Sequence, residues 1–562
     1  MRRSQGKARL AFAGVATSAV TFLSVFPSPT ISDEALAQSA NMGITKFGNP
    51  FTVNATMEGS QSNPSVAIDR LGQSYIAFQS SNFLGMSEDG DGAGIFGRTF
   101  DWMRLPIGGQ WQVNTYTTGD QTDPSVVIGD TVLVGGVSFS DFSGRDGDMN
   151  GVFYQKFVNG VLQFPGDFQV NLTTIGDQFD SFAFVKRGSL GTAFNILIGY
   201  EWFRPGLGSD LLMSGGFYKA PQATRRSGST TRAIPGSEFQ VNTHTPGYQG
   251  RGDGCAFTDD SFVVTWFSSA QDGDYGGIFA QRFDSANSPV GTEFQVNSYT
   301  TGNQDRPKVA CDDSGFVVAW TSVNYFGPSQ DGAGSGVIAR RFDRSANPMG
   351  TEFIVNKITT GSQRTGDIAG DGKGNFVVLW RDYDFGGDLS LRGFASDLTP
   401  LTDDVVVASG AASNPVGTAS MDMNTSGEFI VTWGDSGGGA TGTDVMAQLF
   451  TLDTGATTTT TSAPTTTTSV TTTTTLPLPV CGDPSVNSAA PLSAGLQGPG
   501  VSTQVTITAT DALLVLQAAV GSFACNVCVC DVNRGGITAT DALIVLQFGV
   551  GQNVTLDCPP CT

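Results

Sequence analysis

A segment of some fifty to sixty residues recurs along the middle of the chain, and no other feature limits the fold so tightly. Its clearest mark is a run that closes on tryptophan: Phe262 to Trp266 reads FVVTW, Phe316 to Trp320 FVVAW, Phe376 to Trp380 FVVLW and Phe429 to Trp433 FIVTW. Successive gaps are 54, 60 and 53 residues. Weaker copies at Ser74 to Phe78, Thr131 to Phe139 and Phe194 to Trp202 bring the number to seven. Periods of this size belong to propellers, solenoids or arrays, and the apolar alternation is that of strands.

Each unit offers four strand candidates between turn residues, typified by Pro64 to Asp69, Ser74 to Phe78, Gly94 to Asp101 and Gln110 to Asn114. Four strands make one propeller blade. The phase of the repeat adds a second constraint. The fourth kind of strand also stands alone at the start, as Phe51 to Asn54 (FTVN), and the seventh unit lacks it: after Asp444 to Phe450 the chain runs into threonine. An N-terminal strand that completes the last blade closes a ring and removes the free sheet edges that invite aggregation. The expected fold is mainly β, a seven-bladed β-propeller over residues 45–453 with its first strand closing the last blade. Only 14% of residues are charged and 73 are glycine, which fits short strands and tight turns.

The turns recur too. Asp89-Gly90-Asp91-Gly92, Asp146-Gly147-Asp148 and Asp272-Gly273-Asp274 precede the third strand of their units, with Asp331-Gly332 in a fifth. Such carboxylates could ligate calcium, but Asp and Gly also suit hairpin turns, and the turn reading is preferred because the motif decays in the sixth and seventh units. With these residues in view, the chain resembles secreted bacterial repeat proteins whose units read QDGDGxGIxAQRFDxxGxxxGxEFQVN; Gln271 to Asn297 match this closely. The resemblance implies an exported, propeller-like scaffold without an established activity.

The flanks differ from the repeats. Arg2, Arg3 and Lys7, an apolar run from Leu10 to Phe26, and Ala35-Leu36-Ala37 before Gln38 predict a cleaved signal peptide over residues 1–37. The expected location is extracellular or at the cell surface, with no membrane insertion after cleavage. Residues 454–479 are threonine runs broken by Ser, Ala, Pro and Val, a composition that buries no core and reads as an extended linker. The formal charge of −21 opposes nucleic acid or anionic membranes as partners.

Six of the eight cysteines fall in residues 480–562, which predicts a small disulfide-held module. It contains a segment twice, Ile507 to Gly521 and Ile537 to Gly551, each patterned as a short amphipathic helix, with Thr508/Asp511 and Thr538/Asp541 spaced as capping boxes. The second copy follows Asp531-Val532-Asn533-Arg534-Gly535-Gly536, and here the tail resembles a dockerin, the duplicated loop-helix module that binds calcium and docks onto cohesins. The resemblance implies Asp531, Asn533 and Asp541 as metal ligands, calcium as cofactor and a cohesin-like protein as partner. Gly535 stands where an acidic ligand is usual, and the first copy keeps only Asp511.

Catalytic chemistry has few candidates. The single histidine, His244, sits in a repeated loop (NTHTPG, against NTYTTG elsewhere), so a histidine-based triad or metal site has no support. Glu238, Glu293 and Glu352 occupy equivalent places before FQVN or FIVN strands, which argues for turn and surface roles. Glu201 is the exception: it lies in Tyr200-Glu201-Trp202-Phe203-Arg204, the least repeat-like stretch, where a carboxylate beside aromatics could bind or cleave sugar, although a local elaboration of one blade is the preferred reading. Arg251-Gly252-Asp253 matches an adhesion tripeptide but occupies a Gly- and Asp-rich loop. Cys255 and Cys311 precede equivalent strands of adjacent units, as a disulfide or as two buried thiols. The sequence therefore reads as a non-enzymatic extracellular binding or scaffold protein whose propeller loops hold a ligand, carbohydrate among the candidates. The alternative is a carbohydrate-active hydrolase carrying a dockerin-like module. No catalytic or cofactor-binding residue is expected on the first reading.

Overall fold

The computed structural model describes residues 43–454 except 57–58, 82–87, 130–133, 159–160, 164, 187–193, 205–207, 219–237, 384–386, 410–418 and 437–441. The expected signal peptide, the linker beyond residue 454, and the dockerin-like tail with Asp531, Asn533 and Asp541 lie outside the described residues. Among the described residues every regular element is a strand.

The repeating unit is an antiparallel meander. Ser60–Ile68 pairs with Ser74–Ser81, which pairs with Ala93–Phe100, which pairs with Trp111–Gln112. Short side-chain turns join the first two strands: Asp69 accepts from the N–H groups of Leu71 and Gln73 at 2.8 and 2.9 Å, and Gly72 supplies the positive φ of 78° that closes the loop. At the chain's start Gly43–Thr52 pairs antiparallel with Asp444–Asp453, so residues four hundred apart share one sheet. That sheet packs on the first unit, where Val53, Val66 and Phe78 share a buried cluster with Ile430 and Val445.

The expectation of seven separate blades is corrected. Five sheets stand alone as blades, while residues 249–354 form one eight-stranded sheet. The cause is a single parallel bridge, Gly276 to Asn303, that falls inside the strands of two consecutive units and joins them. Related contacts at Ser209–Tyr248 and Ser335–Ser362 remain isolated bridges between sheets.

The apolar cores lie between neighbouring units. Trp266, Trp320, Trp380 and Trp433 are at most 2% exposed and occupy four different clusters, which explains why the tryptophan strand recurs once per unit. The third unit departs from this. Gln178 pairs with Trp202 where the equivalent Gln249 pairs with Ser268, so Tyr200 takes the buried tryptophan position and Trp202 lies two residues beyond it.

Polar latches fasten one unit to the next. Asn171, at the end of a fourth strand, accepts from Val152 N–H at 3.0 Å and donates to Asp146 at 2.9 Å, to the Thr173 carbonyl at 3.0 Å and to Gln178 of the next unit at 2.8 Å. Asn54, Asn114, Asn297 and Asn356 repeat the arrangement. The Asp-Gly loops find their role here: Asp89, Asp146, Asp272 and Asp331 each accept from the latch asparagine, as turn residues. Asn171→Ala strands a backbone donor, a carboxylate and an amide in a buried site. It is expected to cost about 2–4 kcal/mol, read from the denaturant midpoint.

Candidate functional site

The first strand of every unit lines a central channel, a cavity of about 950 Å³. One sequence detail decides what its mouth presents. In five of these first strands, two residues after a repeated glutamine, the chain makes a bulge in the left-handed region. Asn63, Asp123, Asp180, Arg251 and Arg306 hold φ of 48, 52, 50, 53 and 55°. The strand register shifts at each of these sites. Left-handed backbone is uncommon for residues other than glycine, and held at equivalent places it re-aims the side chain. All five residues line the channel.

The scaffold is constant here while the chemistry is not. Around the ring the bulge reads Asn, Asp, Asp, Arg, Arg, so that carboxylates from two adjacent units are followed by guanidinium groups from the next two. Asp123 accepts from Asn63 Nδ2 at 3.0 Å and from Thr122 Oγ1 at 2.9 Å. Burial raises its carboxyl above the usual range. Asp180 is exposed to the lumen of the channel. Desolvation, reinforced by the neighbouring Asp123 charge and opposed by Arg251, lifts it to about 6. Two neighbouring carboxyls whose ionisation is pushed upward are the equipment of general acid-base chemistry near neutral pH.

Glu201 stands behind this pair. It is fully buried, not displayed to sugar. The Tyr248 hydroxyl lies 2.8 and 2.7 Å from its two oxygens, and the Arg251 backbone N–H also donates to it. Its Oε1 lies 2.3 Å from where a Cβ on Gly250 would stand, so the glycine makes room for the carboxylate. Glu201 thereby positions the bulge that carries Arg251. Burial, then the Asp180 charge, raise it to about 7. A carboxyl raised in the fold above its unfolded value of 4.5 lowers stability as pH climbs through the window between the two. The full cost, on the order of 3 kcal/mol, is present above pH 7. Glu201→Gln is expected to gain stability over the wild type at pH 8 and to lose that advantage at pH 4.5, measured by chemical denaturation at both values.

Deeper in the channel, Lys308 lies 3.9 Å from Asp367. Burial alone would lower its ammonium, but Asp253 and Asp367 hold it above its usual range. Asp253 accepts from Val309 N–H at 2.8 Å, and Arg251 pairs with Asp305, so the Arg-Gly-Asp tripeptide is built into the channel wall. Cys255 and Cys311 form a disulfide between the first strands of consecutive units.

Glu238 accepts from the N–H groups of Leu172 and Thr173, Glu293 from those of Thr243 and His244, and Glu352 from Ser298. Each clamps the loop of the preceding unit, and His244 belongs to one such loop. Among the described residues no group of three His, Cys, Asp or Glu is placed to hold a metal ion. Sequence reasoning missed Asp123, Asp180, Arg306 and Arg364. The signal was present: Gln61, Gln121, Gln178, Gln249 and Gln304 recur, and the residue two places on changes sign around the ring.

No protein-family profile and no curated protein sequence matches the chain. Among solved structures it is similar to a protein of unknown function from Dyadobacter fermentans, with TM-score 0.42 and 8% identity over 73% of this chain and 99% of that one. It is also similar to a polysaccharide lyase, an ulvan lyase, with TM-score 0.38 and 8% identity over 71% and 97%. An endo-arabinase from Bacteroides thetaiotaomicron matches with TM-score 0.28 and 14% identity over 50% and 92%. The architecture is a β-propeller. At such identities the likeness does not extend to individual residues. The expectation of a non-enzymatic chain is corrected: enzymes are among the solved structures to which it is similar.

Proposed function

We propose that the chain is an extracellular carbohydrate-active hydrolase, with its site at the channel mouth. The observation that carries this reading is the bulge tier, where a repeated backbone feature presents Asp123 and Asp180 from adjacent units into one cavity. Glycoside hydrolysis needs two carboxyl groups, one protonated to deliver a proton to the leaving oxygen and one ionised to activate water or to attack. Asp180, lifted to about 6, serves as the acid, and Asp123, held by Asn63 and Thr122, serves as its ionised partner. Glu201 acts from behind by fixing the Arg251 bulge.

On this reading the N-terminal strand closes the ring. The signal peptide exports it, and the threonine linker carries the dockerin-like tail, whose Asp531, Asn533 and Asp541 hold calcium for docking onto a cohesin-like protein. The test is release of reducing ends from a panel of plant and algal polysaccharides by the purified full chain. At least one polymer should be cut, and Asp123→Asn should slow that cleavage by about a hundredfold or more. Absence of cleavage across the panel, or full activity in the variant, removes the assignment.

A further inference from the structure

The bulge tier that supplies two carboxylates also supplies cations, and these differ in how they are engaged. Arg251 is paired with Asp305, and Lys308 lies between Asp253 and Asp367. Arg306 and Arg364 line the same cavity, and neither takes part in any ion pair among the described residues. Arg364 is exposed, and its guanidinium lies 4.8 Å from the centre of the Tyr383 ring, which Arg381 approaches at the same distance. The ring restrains the Arg364 guanidinium at the lumen wall, and stacking of this kind leaves its N–H groups available.

The setting sharpens the contrast. The chain carries a formal charge of −21, yet its channel lining holds more Lys and Arg than Asp and Glu. At physiological ionic strength a charge is screened beyond about 8 Å, so a ligand in the mouth feels the local guanidiniums rather than the distant surface. Cations gathered in a cavity, with two left without carboxylate partners, fit an anionic ligand; planar guanidinium groups match carboxylate and sulfate oxygens in pairs.

We infer that the polysaccharide taken at this mouth is anionic, with a sugar carboxylate or sulfate held by Arg306 and Arg364 while the adjoining glycosidic bond faces Asp180. This rests on the assignment of the channel mouth as the hydrolytic site, and it adds the substrate class. Asp123, Asp180 and Arg306 stand at bulge positions and Arg364 lines the same cavity, the acid pair and the basic pair being separated around the ring by the unit of Arg251. A neutral sugar would leave Arg306 and Arg364 without a counterion on binding.

The test is calorimetric titration of the full chain, carrying Asp180→Asn to prevent turnover, with three oligosaccharides of equal length: an oligogalacturonate, a sulfated carrageenan fragment and a neutral cello-oligosaccharide. At least one anionic probe should bind about tenfold or more tightly than the neutral one, with the preference shrinking at high salt. Which anionic probe binds separates carboxylate from sulfate. Arg306→Ala with Arg364→Ala should abolish the preference, and the corresponding lysine pair should restore only part of it. Arg364→Gln alone serves if the double variant does not fold. Equal affinity for all three probes, no binding of either anionic probe, or a preference unchanged in the arginine variants overturns the inference. The hydrolase assignment fails separately: anionic binding through the arginines without cleavage by the parent chain leaves the subsite standing and removes the hydrolase, whereas cleavage of neutral polymer that ignores the arginines does the reverse.

Discussion

Asp180→Asn is expected to lower kcat by about a hundred- to ten-thousandfold while leaving the fold and KM nearly unchanged. The side chain lies at a bulge whose geometry other units build with Asn63, Asp123, Arg251 and Arg306, so the backbone does not depend on the carboxylate. What the amide removes is a proton donor lifted to about 6 by desolvation and by Asp123. The wild-type rate should therefore fall as pH rises through that value, because the acid form is lost. Steady-state kinetics on a cleaved polysaccharide, with thermal melts of both proteins, checks the split. A variant with full kcat would place the acid elsewhere.

The second large effect concerns ring closure. Deletion of residues 43–52 removes a strand that is in register with the last one from Gly43 opposite Asp453 to Thr52 opposite Met446. The Lys46 ammonium bond to the Val406 carbonyl at 2.7 Å and the Gln448 amide bond to Phe47 at 3.0 Å go with it. At about 1 kcal/mol net per hydrogen bond, the loss is on the order of 5 kcal/mol or more. Asp444–Asp453 then becomes a free edge, the kind that pairs with other chains. Unfolding measurements and light scattering should show a less stable, associating protein. A stable monomer after the deletion would mean that the strand is dispensable for closure.

The repeat was readable from the sequence because burial between units selects the same residues each time. Trp266, Trp320, Trp380 and Trp433 fill equivalent inter-unit cores, and the isolated FTVN segment marked the strand that pairs with the last one. Where one unit ends and the next begins was less legible. The merger across residues 249–354 depends on one backbone bridge at Gly276, a contact that no side-chain pattern records.

The site was legible only in part. Glu201 stood out because its surroundings break the repeat, and a carboxylate displayed to sugar was the alternative to a local elaboration of one blade. The register instead sets it against the Arg251 bulge, fully buried. Asp123 and Asp180 were not singled out. A bulge inverts the inward and outward alternation of a strand, so which residue faces the lumen follows from backbone register rather than from hydrophobic pattern. The adhesion tripeptide failed for a related reason: the bulge turns Arg251 to the mouth and Asp253 into the channel wall.

The measurement that bears most directly on the account is the crystal structure of the Asp180→Asn chain bound to an oligosaccharide that the wild type cleaves. The account predicts the sugar in the channel mouth, its glycosidic oxygen within hydrogen-bond reach of residue 180 and its charged substituent on Arg306 and Arg364. A sugar bound only on the outer strands or loops, with the mouth empty, would contradict it.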